Sequence, residues 1–184
     1  MRLPPLRLLP AALLLACATA AAADPPAAPL PAGCDTFTWN VAAELAALAT
    51  PPVAIVAGDG SAAARIEPGT RYDARLHPQA GVTLAARPGK PMLDDGAQAG
   101  LLTFQVPVDG RYRVSITTGH WIDVVDGGQI VPSLDFQGRR GCPLVHKIVE
   151  FQLPAGRDLV LQFAGGRAGE SGVAITGPVA DDPR

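Results

Sequence analysis

Apolar and polar positions alternate most sharply between Leu101 and Thr176. Phe104 and Val106 fall on one side of an extended chain and Gln105 on the other, because successive side chains of a strand point to opposite faces. Pro107 has no N–H for a ladder and Asp109-Gly110 supplies a turn, after which Tyr112, Val114 and Ile116 return to the apolar face. The phrase recurs at Phe151-Gln-Leu-Pro-Ala-Gly156, followed by Leu159, Leu161 and Phe163. Each copy predicts a β-hairpin with one buried face and one wet face, leaving Arg111, Arg113, Ser115 and Thr117 outward.

Weaker segments of the same kind flank these two. Val53 to Val56 is a short apolar run, and Tyr72 to Leu76 with Gly81 to Ala86 predicts a further strand pair. In Gly119 to Gly128, Ile122 and Val124 alternate inward against Trp121, Asp123 and Val125, and Asp126-Gly127-Gly128 makes a turn. Ile130 to Phe136 and Gly172 to Thr176 add strands. One helix is predicted, capped by Asn40, with Val41, Leu45 and Leu48 on one face and Thr50-Pro51-Pro52 stopping it. Phe37 and Trp39 are expected to pack this helix onto the sheet edge. About seven to nine short strands with regular turn signals and one helix describe a mostly β chain. The expected fold is an antiparallel β-sandwich, jelly-roll-like, with one short N-terminal helix.

The N-terminal segment changes the picture from fold to compartment. Arg2 and Arg7 precede an apolar run from Leu8 to Ala16 and a small-residue zone from Thr19 to Ala23, the layout of a secretory signal peptide. The run is too short to span a bilayer, which takes ~20 residues. The 184 residues therefore divide into a signal at 1–23, a Pro/Ala-rich linker at 24–33, a sandwich domain at 34–177 and a tail at 178–184. Leu14-Leu15-Ala16-Cys17 also resembles a lipoprotein box, so Cys17 is either removed with the leader or lipidated, and only lipidation would tether the product to a membrane. Cys34 and Cys142 then remain, and an even pair in an exported chain reads as one disulfide, closing a loop of about 109 residues. The location that follows is periplasmic or secreted, with outer-membrane anchoring if Cys17 carries lipid.

Charge excludes one class of partner. Removing the two signal arginines from 15 Lys+Arg leaves the mature chain at −4 against 17 Asp+Glu. No basic patch appears, which argues against nucleic acid. Lysine occurs only at Lys90 and Lys147 in a chain rich in Ala, Gly, Pro and Arg, a bias that by itself carries no mechanism.

Candidate chemistry is sparse. Asp94, Asp95 and Asp126 are candidate oxygen donors for a structural calcium, the alternative being ordinary turn residues. His146 and Glu150 are four apart, but on a strand that spacing spans roughly 13 Å. No serine sits in a nucleophile elbow, and the Gly-rich stretch from Gly165 to Gly172 has no helix after it to cradle a phosphate. His120, Trp121 and Asp123 form the candidate binding surface, an indole beside a carboxylate, suited to a stacked sugar or a protein contact. The bland alternative is that Trp121 covers the end of the sheet.

The strand-and-turn grammar of residues 70–176, Phe-x-Val-Pro-x-x-Gly-x-Tyr-x-Val-x-Ile followed by Asp-Gly-Gly and Phe-x-Leu-Pro-Ala-Gly, resembles pre-peptidase C-terminal domains and galactose-binding-like carbohydrate-binding modules. Such a resemblance implies fold more than ligand. Cys34, Phe37, Trp39, the stretches Met92 to Asp95 and Gly119 to Gly128, and Leu134 to Gly138 also resemble a family of small exported proteobacterial proteins of unknown function. Some of its members carry the name homogentisate 1,2-dioxygenase, which would imply an iron held by two His and a Glu. This chain has three His in all, so an iron site would draw on His77, His120 and His146 with Glu150 or Asp123. Three expectations follow. The first is a non-enzymatic exported module, without cofactor unless calcium, that binds a cell-envelope glycan or protein. The second is a metal-dependent dioxygenase-type enzyme, and the third a structural envelope lipoprotein.

Overall fold

The structure is a computed structural model that describes residues 31–90, 95–139 and 141–180. The signal peptide, Cys17, nearly all of the linker and Asp94 lie outside the described residues. In chain order the elements are α1 (Ala42–Ala49), β1 (Val53–Val56), β2 (Ala64–Arg65), β3 (Tyr72–Arg75), β4 (His77–Pro78), β5 (Gln98–Phe104), β6 (Gly110–Ile116), β7 (Trp121–Asp126), β8 (Gln129–Val131), β9 (Ser133–Gly138), β10 (Lys147–Leu153), β11 (Leu159–Gly166) and β12 (Glu170–Thr176). The first sheet has the order β1-β3-β12-β6-β10-β9, and the second β2-β5-β11-β7-β8 with β4 on β5. Pairing is antiparallel except for β1 with β3 and β2 with β5, which are parallel. The chain passes repeatedly from one sheet to the other, the winding of a jelly roll, as expected.

The inward face of each strand is the one the alternation marked. Phe104, Tyr112, Val114, Ile116, Phe151, Leu153, Leu159, Leu161 and Phe163 all meet in the core between the sheets. The hairpin expectation is overturned, however. β5 belongs to the second sheet and β6 to the first, so the first Phe-Gln-x-Pro phrase is an arch between sheets, and β10 to β11 repeats the crossing in the opposite sense. A hairpin and an arch both turn two apolar faces to the same core, so period-two alternation does not distinguish them.

Two covering layers also depart from expectation. α1 lies across the outer face of the first sheet, where Val41, Leu45, Leu48, Val145, Ile148 and Ala174 form a second apolar cluster with the Cys34–Cys142 disulfide. Arg113 and Ser115, expected in water, are buried beneath it. Asn40 marks the helix start, accepting from the Ala42 N–H at 3.1 Å. Gly81 to Ala86 forms no strand. That segment crosses the outer face of the second sheet, with Gln162 Oε1 accepting from Ala86 N–H and its Nε2 donating to Ala86 O, each at 3.1 Å. The predicted strand from Ile130 to Phe136 breaks at Pro132, where the chain leaves β8 in one sheet for β9 in the other. The tail is docked as far as Ala180, whose carbonyl accepts from Arg111, while Val179 N–H donates to Arg111 O. Among the described residues no helix is long and apolar enough to cross a membrane.

Candidate binding groove

The switch at Pro132 leaves one flank of the sandwich open. β8 pairs with β7 only from Val124 to Asp126, so Trp121 to Asp123 have no strand neighbour on that side among the described residues. β9 is the outermost strand of the opposite sheet and pairs only with β10. Between these two edges lies a groove of about 720 Å³. Ile130, Val131, Val149, Phe151 and Phe136 form its apolar wall, and Trp121, Asp123, Lys90, His146 and Lys147 its polar rim. Phe136 stands opposite Val149 in the β9–β10 register and is 65% exposed, a core-facing position that the second sheet does not reach across.

Trp121 is fixed in the rim. Its Nε1 donates to Asp123 Oδ1 at 2.9 Å, and Asp123 Oδ2 in turn accepts from Gln162 Nε2 at 3.0 Å. Asp123 is buried, so two donors satisfy its carboxylate away from water. Gly89 packs against the same pair: a Cβ there would lie 3.4 Å from Asp123 Oδ1 and 3.6 Å from the indole.

The two lysines of the chain both come to this indole. Lys90 Nζ lies 4.4 Å and Lys147 Nζ 5.6 Å from the Trp121 ring centroid. Lys147 also donates to the His120 carbonyl. Burial, with Lys90 nearby, lowers the Lys147 ammonium from 10.5 to about 8 despite the opposing pull of Asp123. Neither lysine was singled out from sequence, yet a signal was there. Lys147 occupies the next inward step of the pattern Val149, Phe151, Leu153, a place where a lysine must either snorkel or be used.

His120 is not where the sequence reading placed it. It is fully buried, edge-on to Phe163 with ring centroids 6.2 Å apart. Its Nδ1 is paired with Thr118 Oγ1 at 2.7 Å, and Nε2 has no partner among the described residues. A Cβ on Gly166 would overlap this ring. Burial pushes the imidazole down from 6.5 to about 4, so it is neutral at neutral pH, and its carbonyl, not its ring, meets Lys147. Trp121 and Asp123 do come together as expected.

Asp94 lies outside the described residues, and the remaining described candidates do not assemble. Asp126 is ion-paired to Arg157 at 2.8 Å, and Asp95 is exposed. His77 Nε2 lies 2.7 Å from Ala57 O, and Glu150 is buried on the helix side of β10 against Arg113 Nε at 2.9 Å. Among the described residues no three His, Cys, Asp or Glu side chains gather closely enough to hold a metal ion, so the donor set an iron centre needs is not brought together. No family model, curated protein or solved structure matches the chain.

Proposed function

We propose that this protein is an exported, non-enzymatic binding module that takes a cell-envelope glycan in the groove at Trp121. The observation that carries the reading is the indole itself: partly exposed on the rim of a groove of about 720 Å³, with its orientation fixed by Asp123. A rigid aromatic plate beside a hydrogen-bonded carboxylate suits the C–H face and hydroxyls of a sugar. The Cys34–Cys142 disulfide supports an oxidising compartment such as the periplasm.

A protein partner is the second reading, favoured by β9. That edge strand pairs with no other described strand on its outer side and exposes Leu134 and Phe136, 52% and 65% accessible, the features used in strand addition. The test is co-sedimentation of the mature oxidised protein with protease-treated envelope glycan. Trp121→Ala is expected to weaken retention about tenfold while the melting temperature shifts by only a few degrees, a stacking contribution of ~1–1.5 kcal/mol. Retention equal to wild type overturns the glycan reading.

A further inference from the structure

Two ammonium groups share one indole here, and among the described residues neither is ion-paired. Lys90 is exposed, on the segment that crosses the second sheet, whereas Lys147 rises from the inward face of β10. They arrive from opposite layers of the sandwich. A chain with only two lysines has concentrated both at the mouth of an apolar-walled groove between sheet edges. Cation–π contact is a weak partner for a partly dehydrated ammonium compared with a carboxylate.

We propose that the ligand of this groove is an acidic glycan, and that Lys90 and Lys147 leave the indole face to clasp the carboxylate of a uronic-acid residue as its ring settles on Trp121. This rests on the glycan reading and adds its charge. The charges favour a monoanion. Two lysines against the buried Asp123 leave one positive charge, which a carboxylate neutralises and a phosphate dianion would overshoot. The apolar wall of Ile130, Val131 and Phe136 then faces the ring carbons.

The charged and titratable neighbours of Lys147 set the pH response. Lys90 repels it from the crossing segment, Asp123 attracts it from β7, His120 is neutral and His146 stands beside it in the rim. Arg139 is held on the other side by Thr36. Lys147 is charged below about 8 in the free protein, and a bound carboxylate raises that value. Binding is therefore strongest below about 8 and weakens as pH rises through it, with proton uptake near the midpoint.

The experiment is calorimetric titration of the mature oxidised protein with α-1,4-linked tri-galacturonate and with the matching galactotriose, which has CH2OH in place of each carboxylate. At pH 6.5 the acid form is expected to bind at least tenfold more tightly. Lys90→Gln and Lys147→Met should each remove most of that difference, and it should shrink by pH 9.5. Lys90 is exposed, so its variant reads the site without a folding effect. Equal binding of both sugars, with the variants unchanged, overturns the carboxylate clasp and leaves the glycan reading standing. Binding of neither at millimolar concentration overturns both. Competition by inorganic phosphate as effective as the uronate overturns recognition of the sugar acid.

Discussion

Arg113 holds an outward position on β6 and yet is 5% exposed. Its Nε donates to Glu150 Oε2 at 2.9 Å, its Nη1 donates to Asn40 O at 2.9 Å and lies 3.6 Å from Glu44 Oε1, and its guanidinium stacks 4.5 Å from the Trp39 ring. Thr176 supplies a further donor to Glu44 at 2.8 Å. One arginine thus lies between two buried carboxylates beneath the helix. Arg113→Ala leaves Glu150 with Arg111 alone, at 3.5 Å, and takes from Glu44 its cation among the described residues. The expected loss is about 3–5 kcal/mol in denaturant unfolding at neutral pH, since an uncompensated buried charge costs more than the pair contributes. A loss below 1 kcal/mol would show that water reaches the site. The sequence placed Arg113 on the correct face but made that face wet. The reason is physical: alternation reports which residues share a face, whereas the covering layer comes from α1, far away in the chain: Arg113 and Asn40 are 73 residues apart. Lys147 is the converse, a charged residue on the inward face, whose meaning depends on Trp121 and Lys90 arriving from other elements.

At the scale of elements, the Pro and Gly signals marked where strands end, and the hydrophobic period marked what each strand buries. What they left open was the partner. β5 and β6 are neighbours in sequence and lie in different sheets, while β5 pairs with β11 and β6 with β10 and β12. The disulfide is the element-level staple that cysteine count alone revealed. It joins residues 108 apart and holds the segment before α1 against the loop after β9. On the chain-entropy model it contributes ~4–5 kcal/mol. Cys34→Ser with Cys142→Ser should therefore lower the unfolding free energy by several kcal/mol and lead amide exchange in α1 to rise before exchange in the core strands. Uniform exchange throughout the chain would contradict this division.

For the whole molecule, the winding of β3 onto β12 and of β5 onto β11 makes contacts between distant parts of the chain dominant. Loop-closure entropy must be overcome before those contacts form, so the main refolding phase of the oxidised protein is expected on the order of 1 s⁻¹, within the millisecond-to-second range of all-β domains. Stopped-flow tryptophan fluorescence measures it, and microsecond refolding would contradict the strand order. Trp39 and Trp121 lie on opposite sides of the sandwich, one under α1 and one at the groove, so their signals report separate layers. The scarcity of lysine has a practical side as well. The amino terminus aside, every amine-directed reagent acts only at the groove, since Lys90 and Lys147 are the sole side-chain amines. Coupling the protein to an activated resin or dye through its amines would bury the face it uses. Reductive methylation with isotope-labelled formaldehyde would instead place two dimethylamine probes there, giving two lysine signals beside that of the amino terminus.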